Sequence, residues 1–400
     1  MDVVKRPVAR PQKAPRRRVF VGGMVVVALV SMFIGVIAFE IAGRFILNPA
    51  DYLAVTPLAD PILGMTIEPD SPGFDRWGFR NREVPTSVDI VALGDSHTYG
   101  NTAKMHEAWP EVVARETGRT VYNMALGGYG PNQYHHLLTT RAALLHPKQV
   151  LVGLYMGDDF ENAFSITYGL DHWKFLRQGA RPPVNADIWH DAESTGRLKP
   201  LRNWLSKRSF VYRLVVHGQA LRTLKANLQF RQVAGSADPS STVIEAPEDN
   251  VREAFRPIRI AAGLDQTRPE VQEGMRITFR LLDDMNSTCK KIGCTLTVVI
   301  IPSKETVFAP YFERQPELHL KPVVESLIRN ERVATALVHE HLRQSGIEYI
   351  DTLPALRSGV HNELYYRGPA DMHPNAKGYR VIGLAVAEFL RASRSRASLN

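Results

Sequence analysis

The sequence contains few cysteines and lacks the short motifs of several large protein classes. Only Cys289 and Cys294 occur in 400 residues, which excludes a disulfide-stapled scaffold. They flank a predicted helix-to-strand turn, where either a bridge or two free buried thiols would fit the sequence. No H-E-x-x-H motif or Cys/His cluster is present, and neither G-x-G-x-x-G nor a P-loop follows a predicted strand. A zinc enzyme or a nucleotide-binding protein is therefore not indicated, and we expect no metal and no cofactor.

Charge is absent from a long run near the N-terminus. Residues 19–39 contain no charged side chain, and a helix of about 21 residues rises about 31 Å, enough to cross a hydrocarbon core. Residues 1–18 carry seven Lys or Arg against one acid. We therefore expect a single-pass anchor in the cell membrane at 19–41, a cytoplasmic N-terminus and a periplasmic or extracellular remainder. The alternative is a cleaved signal peptide, whose apolar region is usually shorter.

Acidic residues are missing from residues 197–231, which carry nine Lys or Arg. Apolar and aromatic residues are interleaved with these cations, a pattern typical of an amphipathic surface that contacts anionic lipid or an acidic glycan. A solvated helix that covers the core fits the pattern as well. The net charge of +8 does not indicate nucleic-acid binding, because the cations concentrate in this segment and the N-terminal tail without a nucleic-acid motif.

Strand-like and helix-like signals alternate over residues 86–392, as is typical of a parallel sheet with helices on both faces. We predict a flavodoxin-like three-layer α/β/α sandwich with a parallel five-stranded sheet. Its predicted strands are 88–93, 120–125, 150–156, 295–301 and 348–350, with helices that include 269–291 and 321–344. The other predicted segments are an irregular tether at 42–85, an insertion at about 161–269 with a mobile low-complexity stretch at 234–250, and a C-terminal tail at 393–400.

Polar side chains follow the predicted strands at their carboxyl ends, where open parallel sheets bind ligands. Gly94-Asp95-Ser96 follows the first strand, and Asp371-Met372-His373 opens the last helix. A serine hydroxyl needs an adjacent base, and a histidine oriented by a carboxylate is suited to that role. Taken alone, Ser96 is equally well a helix cap and Asp371 a helix N-terminal acid. Their ordered combination favours a serine-nucleophile site.

Two more motifs complete the set. Asn123–Gly130 follows the second strand, and its glycines can point backbone amides at a developing oxyanion. Gly157-Asp158-Asp159 follows the third strand, where a side-chain donor would complete such a hole.

Two other polar groups near predicted strand ends are less suited to catalysis. His97 is next to Ser96 on a predicted helix, where consecutive residues point about 100° apart, so it is poorly placed as the base and is at most a pocket-lining residue. Lys304 and Glu305 follow the fourth strand, where substrate contact is conceivable and a surface ion pair is the favoured interpretation.

The ordered blocks G-D-S-H-T, N-M-A-L-G-G, G-D-D and D-M-H-P-N resemble the sequence blocks of the SGNH/GDSL hydrolases over about residues 86–165 and 270–392. The resemblance implies that Ser96 is the nucleophile, His373 the general base and Asp371 its orienting carboxylate. It places the Ser96 and Gly128 amides in the oxyanion hole. It also implies cleavage or transfer of acyl groups through an acyl-serine without a metal, often on acetyl esters of polysaccharides.

Two departures from the family pattern affect this site. Asp371 stands two rather than three positions before His373, which is similar to the D-x-H of exopolysaccharide acetylation proteins. Asp158 takes the place of the family's asparagine, and a carboxylate there would repel the oxyanion, at a cost of roughly 10²–10³ in rate. A protonated Asp158, an amide supplied by Asn162, or a crippled site that only binds glycan would each account for the change.

These observations predict a membrane-anchored, outward-facing serine esterase that acts on acyl, most simply acetyl, esters of a surface glycan or lipid-linked glycan. One alternative is an O-acyltransferase in polysaccharide acetylation, which would require a membrane partner that supplies the acyl donor. The other is a catalytically degenerate glycan-binding protein.

Overall fold

A computed structural model of the chain describes residues 16–52, 55–178, 198–235, 240–314, 320–369 and 371–397. The strands of the described residues are β1 (Pro57–Asp60), β2 (Gly64–Ile67), β3 (Ile90–Gly94), β4 (Val121–Asn123), β5 (Gln149–Tyr155), β6 (Thr242–Ala246), β7 (Val251–Phe255), β8 (Thr295–Ile301) and β9 (Glu348–Asp351). The α-helices of the described residues are α1 (Arg16–Ile46), α2 (Pro49–Tyr52), α3 (Ser96–Tyr99), α4 (Trp109–Thr117), α5 (Pro131–Thr140), α6 (Asp159–Gly169), α7 (Lys199–Arg208), α8 (Phe210–His217), α9 (Gln219–Gly235), α10 (Pro257–Gly263), α11 (Pro269–Ile292), α12 (Lys304–Val307), α13 (Ala309–Glu313), α14 (Lys321–Gln344), α15 (Leu353–Gly359) and α16 (Ala376–Ala397).

Five of the strands form one parallel sheet in the order β4-β3-β5-β8-β9. Gly94 pairs with Gly153, and Tyr155 pairs with Ile301. Counted along the chain, this is the 2-1-3-4-5 order of flavodoxin-like folds, whose ligand crevice lies at the carboxyl ends of the first and third strands. The predicted parallel five-stranded sheet is confirmed. Its crevice is bounded by the ends of β3 and β5.

Helices cover both faces of the sheet. α5, α6 and α11 pack against one another in one layer, and α4 packs against α16 in the other. Every residue of β3 and β5 is buried. Strands that are buried on both faces carry near-continuous apolar runs, which explains why these two strands stand out in the sequence.

Proline and glycine set the ends of two of these helices. α4 has Pro110 in its first turn and ends at Gly118, whose φ is 66°. α11 begins at Pro269 and ends before Gly293, whose φ is 76°. Proline lacks the N–H that a first turn leaves unpaired, and glycine adopts the left-handed capping conformation without steric strain.

The N-terminal helix α1 is apolar for most of its length. Within the described residues, Gly23–Ile46 is the one helical stretch long and apolar enough to cross a membrane, and none of its most apolar part is buried in the protein. The predicted cytoplasmic tail falls mostly outside the described residues. α1 is therefore a candidate for the predicted anchor.

The segment predicted as an irregular tether contains the antiparallel hairpin β1–β2. Leu63, Ile67, Phe74 and Phe79 of this segment are buried in the main hydrophobic core. The hairpin strands are only four residues long, so local propensity does not reveal them. They are stabilised by burial against the sandwich.

The insertion contains a second hairpin. The stretch 234–250 is predicted to be mobile, but its described part includes β6, which pairs with β7 along its whole length. Ile244 and Phe255 of this hairpin lie in the main core. The strand sequence TVIEA alternates apolar and polar residues, but it is short and is flanked by Ser, Pro and Ala, so it was not predicted as a strand.

Lys304 begins α12, directly after β8, and is buried. Its Nζ lies 2.7 Å from Glu253 Oε2 on β7 and donates to the carbonyl oxygens of Ala254 (3.3 Å) and Tyr366 (3.1 Å). The interpretation of Lys304 and Glu305 as a surface ion pair is therefore wrong, because both are buried and the lysine pairs with the insertion. This ammonium joins the hairpin and the segment before His373 to the sheet.

Removing one partner of a buried ion pair leaves the other charge uncompensated. We expect Lys304→Met to lower the free energy of unfolding by about 3–5 kcal/mol, and the added change Glu253→Gln to recover most of that loss. Urea denaturation of the detergent-solubilised full chain, followed by tryptophan fluorescence, measures both. A loss below about 1 kcal/mol, the range of exposed pairs, would contradict this role of Lys304.

Candidate active site

Ser96 lies at the start of α3, immediately after β3. Asp95 is the N-cap residue, and its carboxylate accepts the His97 backbone N–H at 2.9 Å. A Cβ at Gly94 would come within 2.1 Å of Thr98 Oγ1, so only glycine fits at the end of the strand. The turn from strand to helix therefore presents the Ser96 hydroxyl at the sheet edge.

Ser96, His373 and Asp371 form a continuous hydrogen-bonded chain. His373 Nε2 lies 2.8 Å from Ser96 Oγ, and His373 Nδ1 lies 2.9 Å from Asp371 Oδ1. The same Asp371 oxygen accepts the His373 backbone N–H at 3.1 Å. A D-x-H spacing thus lets one carboxylate orient both the backbone and the ring of the histidine.

The carboxylate of this chain is ionised near neutral pH. Burial by itself would raise the pKa of Asp371, but the hydrogen bonds from His373 and its electrostatic attraction outweigh burial and hold that pKa below the ordinary value. An ionised Asp371 keeps the proton of the imidazole on Nδ1. His373 Nε2 is then free to accept the Ser96 proton.

The loop that carries His373 is bonded to the loop after α3. Thr102 Oγ1 donates to the Pro374 carbonyl oxygen at 2.8 Å, and the Tyr379 hydroxyl donates to the Asn101 carbonyl oxygen at 3.0 Å. Asn375 Nδ2 donates to the Tyr365 carbonyl oxygen at 3.2 Å. The contacts of Thr102 and Tyr379 were not predicted, because no motif or periodicity marks a contact between segments so far apart along the chain. Asn375, in contrast, belongs to the D-M-H-P-N block.

His97 packs beside the hydrogen-bonded chain of Ser96, His373 and Asp371 and is not part of it. Its ring is 2% exposed, its Nδ1 lies 3.0 Å from Asp95 Oδ2, and it stacks on the Tyr155 ring at 3.6 Å between centroids. The His97 and His373 rings are 4.6 Å apart. Burial lowers the pKa of His97 more than Asp95 raises it, so the ring is neutral near pH 7. His97 therefore packs against His373 as a buried, neutral ring.

The glycine block lies beside Ser96. A Cβ at Gly127 would stand 3.7 Å from Ser96 Cβ, and Gly128 has a φ of 80°, which favours glycine. Asn123 holds this loop, since its Oδ1 accepts the Ala125 N–H at 3.0 Å and its Nδ2 donates to the Thr98 carbonyl oxygen at 3.0 Å. The Gly128 amide has no acceptor in the described part of the chain. It is thus available to an oxyanion formed at Ser96.

Asp158 is the N-cap residue of α6, after the end of β5, and its side chain makes no capping hydrogen bond. Burial and, next, the negative charge of Asp95 raise the pKa of Asp158 to about 8, although Arg259 acts in the opposite direction. Asn162 Nδ2 lies 3.3 Å from Asp158 Oδ1 and donates to it. With a pKa of about 8, the Asp158 carboxyl group is largely protonated at neutral pH and can donate from the oxygen that does not accept the Asn162 amide. Of the three explanations for Asp158, this geometry favours the protonated carboxyl donor.

Among the described residues, no three His, Cys, Asp or Glu side chains come together as metal ligands. Cys289 and Cys294 are free, buried thiols distant in sequence from every site motif.

The chain matches a family described as an SGNH hydrolase-like domain, acetyltransferase AlgX, over residues 263–400. The matched region includes Asp371 and His373 and does not include Ser96. This match confirms the predicted relationship to the SGNH/GDSL hydrolases. The C-terminal third of the chain is thus similar to an SGNH hydrolase-like domain. No curated protein sequence is similar enough to this chain to count as a relative.

Solved structures with distant similarity include three bacterial esterases or lipases. An extracellular lipase from Streptomyces rimosus is 13% identical, with a TM-score of 0.36, over 75% of this chain and 100% of that chain. Phospholipase A1 from Streptomyces albidoflavus is 11% identical, with a TM-score of 0.36, over 75% and 98%. A catalytic mutant of an acetylxylan esterase from Geobacillus stearothermophilus is 12% identical, with a TM-score of 0.34, over 77% and 94%. Similarities this low carry no information about substrate.

The raised pKa of Asp158 predicts an alkaline loss of activity. Below about pH 8 the carboxyl group is protonated and donates to the oxyanion, and above that pH it ionises and repels it. We expect kcat/KM for an activated acetyl ester to fall by roughly 10²-fold as the pH rises through this range, because one oxyanion donor is lost.

Asp158→Asn should remove that alkaline fall, because an amide donates a hydrogen bond at every pH. Asn162→Ala should leave the fall in place and serves as the control. An unchanged alkaline limb in Asp158→Asn, measured as a full pH profile of kcat/KM, would show that Asp158 is not the titrating group.

Proposed function

We propose that this protein is a membrane-anchored serine esterase that cleaves acyl, most simply acetyl, esters of a glycan on the outer side of the membrane. The observation that carries the proposal is the chain of hydrogen bonds from Ser96 through His373 to Asp371, at 2.8 Å and 2.9 Å. It lies at the sheet edge where flavodoxin-like folds bind ligands.

The geometry supports a two-step acyl transfer. Ser96 Oγ attacks the ester carbonyl carbon while His373 Nε2 takes its proton, and the carbonyl oxygen becomes an oxyanion. The Ser96 and Gly128 amides and protonated Asp158 would donate to that oxyanion. As the intermediate collapses, the ester C–O bond breaks and His373 returns the proton to the leaving alcohol. An acyl-serine remains.

The second step repeats the first with a different nucleophile. Water, deprotonated by His373, attacks the acyl-serine carbonyl carbon, the bond to Ser96 Oγ breaks, and the proton on His373 returns to Ser96. The products are the free acid and the restored enzyme. Asp371 stays ionised throughout and stabilises the imidazolium that forms in each step.

Two observations support the acyl and glycan parts of the proposal. The family that matches residues 263–400 is described by an acetyltransferase, and the D-x-H spacing resembles that of exopolysaccharide acetylation proteins. α1 supports an anchor in the cell membrane, and the basic residues at its start favour a cytoplasmic N-terminus.

The same site would support O-acyl transfer to a sugar, and the description of the matched family favours this second candidate. Transfer differs from hydrolysis only in the nucleophile of the second step, a sugar hydroxyl instead of water. A membrane partner that supplies the acyl donor would then be expected.

We expect the detergent-solubilised full chain to release acetate from p-nitrophenyl acetate. Ser96→Ala should reduce kcat/KM by roughly 10³-fold or more, because the nucleophile is lost. Ser358→Ala, which changes an exposed serine of α15, is the matched control and should leave the rate unchanged. Equal turnover by Ser96→Ala and the wild type would exclude an acyl-serine at this position.

An added oligosaccharide separates the two candidates. If the protein is a transferase, the acetylated oligosaccharide should accumulate at the expense of free acetate, and mass spectrometry quantifies both. Acetate release that is unaffected by millimolar oligosaccharide would leave hydrolysis as the function.

A further inference from the structure

The helix α7 carries an apolar stripe that no other part of the described chain covers. Leu198, Leu201 and Trp204 are spaced three apart, so they lie along one face at the start of the helix and within it. They are 58%, 53% and 53% exposed. A helix that covers the core would bury such a stripe. This one faces outward.

α7 and α8 are fixed to α1 where its apolar run ends. Glu40, the first charged residue after that run, accepts the backbone N–H groups of Phe210 (3.0 Å) and Val211 (3.2 Å) and the Ser209 hydroxyl (3.0 Å). Arg44 donates to the Arg208 carbonyl oxygen at 3.4 Å. A membrane that ends near Glu40 therefore has its surface at the junction of α7 and α8.

The charges around the stripe suit an anionic surface. Residues 198–235 contain no Asp or Glu, and Arg202, Lys207 and Arg208 of α7 are exposed. The Arg208 guanidinium stands 5.7 Å over the Trp204 ring. Tryptophan and arginine are typical of the headgroup level of a bilayer, and cations are attracted to an anionic lipid surface.

We infer that α7 is an interfacial helix that lies on the membrane beside α1, with Leu198, Leu201 and Trp204 inserted among the lipid headgroups and its cations on anionic lipid. Attachment to α1 distinguishes this surface from a glycan-binding one, since the C-terminal end of α7 is bonded to α1 where its apolar run ends. The inference rests on the proposed anchoring through α1. It does not depend on the chemistry of Ser96.

This position would bring the candidate active site to the membrane surface. α8 and α9 continue from α7 to the site, where the Arg222 guanidinium lies 5.9 Å over the Tyr366 ring. A cavity of about 1050 Å³ lies between these helices and the loop after Ser96, lined by Leu214 and Arg222 on one side and by Asn101 and Thr102 on the other.

The depth of single labelled side chains tests the inference. The full chain is placed in nanodiscs of phosphatidylglycerol and phosphatidylcholine, with the fluorophore NBD on Leu201→Cys, on Val30→Cys within α1, or on Leu337→Cys. Leu337 is a leucine of α14 with comparable exposure, 45%. Quenching by doxyl-labelled lipid is measured for each. The unsubstituted chain, with Cys289 and Cys294 buried, is the labelling control.

We expect Leu201→Cys to be quenched at least about twofold more strongly than Leu337→Cys, as an interfacial helix requires. Adding Arg202→Glu and Lys207→Glu should reduce that quenching, and so should replacing the anionic lipid with phosphatidylcholine. The inference would be overturned if Val30→Cys is quenched but Leu201→Cys is quenched no more strongly than Leu337→Cys. Absence of quenching at Val30→Cys would overturn the anchoring and the inference with it. Acetate release by each variant separates these outcomes from a failure of the esterase proposal.

Discussion

The candidate site depends on one long-range hydrogen bond, from Ser96 Oγ to His373 Nε2 at 2.8 Å. The two residues are 277 positions apart, so the bond requires the end of β3 and the start of α16 to lie over the same sheet edge. The bonds from Thr102 to Pro374 and from Tyr379 to Asn101 join the same two segments. The parallel sheet, with β3 and β5 adjacent at its centre, supplies the rigid base on which this contact is held.

Different neighbours give two carboxyl groups of this crevice opposite states. Asp371 is partly buried but pairs with His373, which holds its pKa below the ordinary value. Asp158 is half-buried near Asp95, and its pKa rises to about 8. Environments that push the pKa values of neighbouring acids apart are a mark of sites with assigned acid and base roles. The substitution that seemed to damage the oxyanion hole is thus compatible with a working donor.

Much of the fold could be predicted from local patterns. β8 is the apolar run at 295–301, and α14 occupies the predicted residues 321–344, because a buried strand and a proline-initiated amphipathic helix each have a local signature. The short hairpins β1–β2 and β6–β7 could not be predicted, since they owe their order to burial against distant residues. The pairing of Lys304 with Glu253 could not be predicted for the same reason. Glu305 is the neighbour of Lys304 in the sequence, and only the tertiary fold brings β7 to Lys304.

The positions of the site motifs at the strand ends were predictable, but the electrostatic state of Asp158 was not. A G-D-D sequence does not reveal whether its first acid is solvated or buried beside another carboxylate. The sequence left three explanations open, and the burial of Asp158 together with the bond from Asn162 favours one of them.

The central claim is that His373 activates Ser96. Reaction of the full chain with a fluorophosphonate, followed by peptide mass spectrometry, tests it directly. We expect one adduct on Ser96, formed at least about 10²-fold more slowly in His373→Gln, in line with the contribution of a general base. An adduct at another serine, or an equal rate of labelling in His373→Gln, would contradict it.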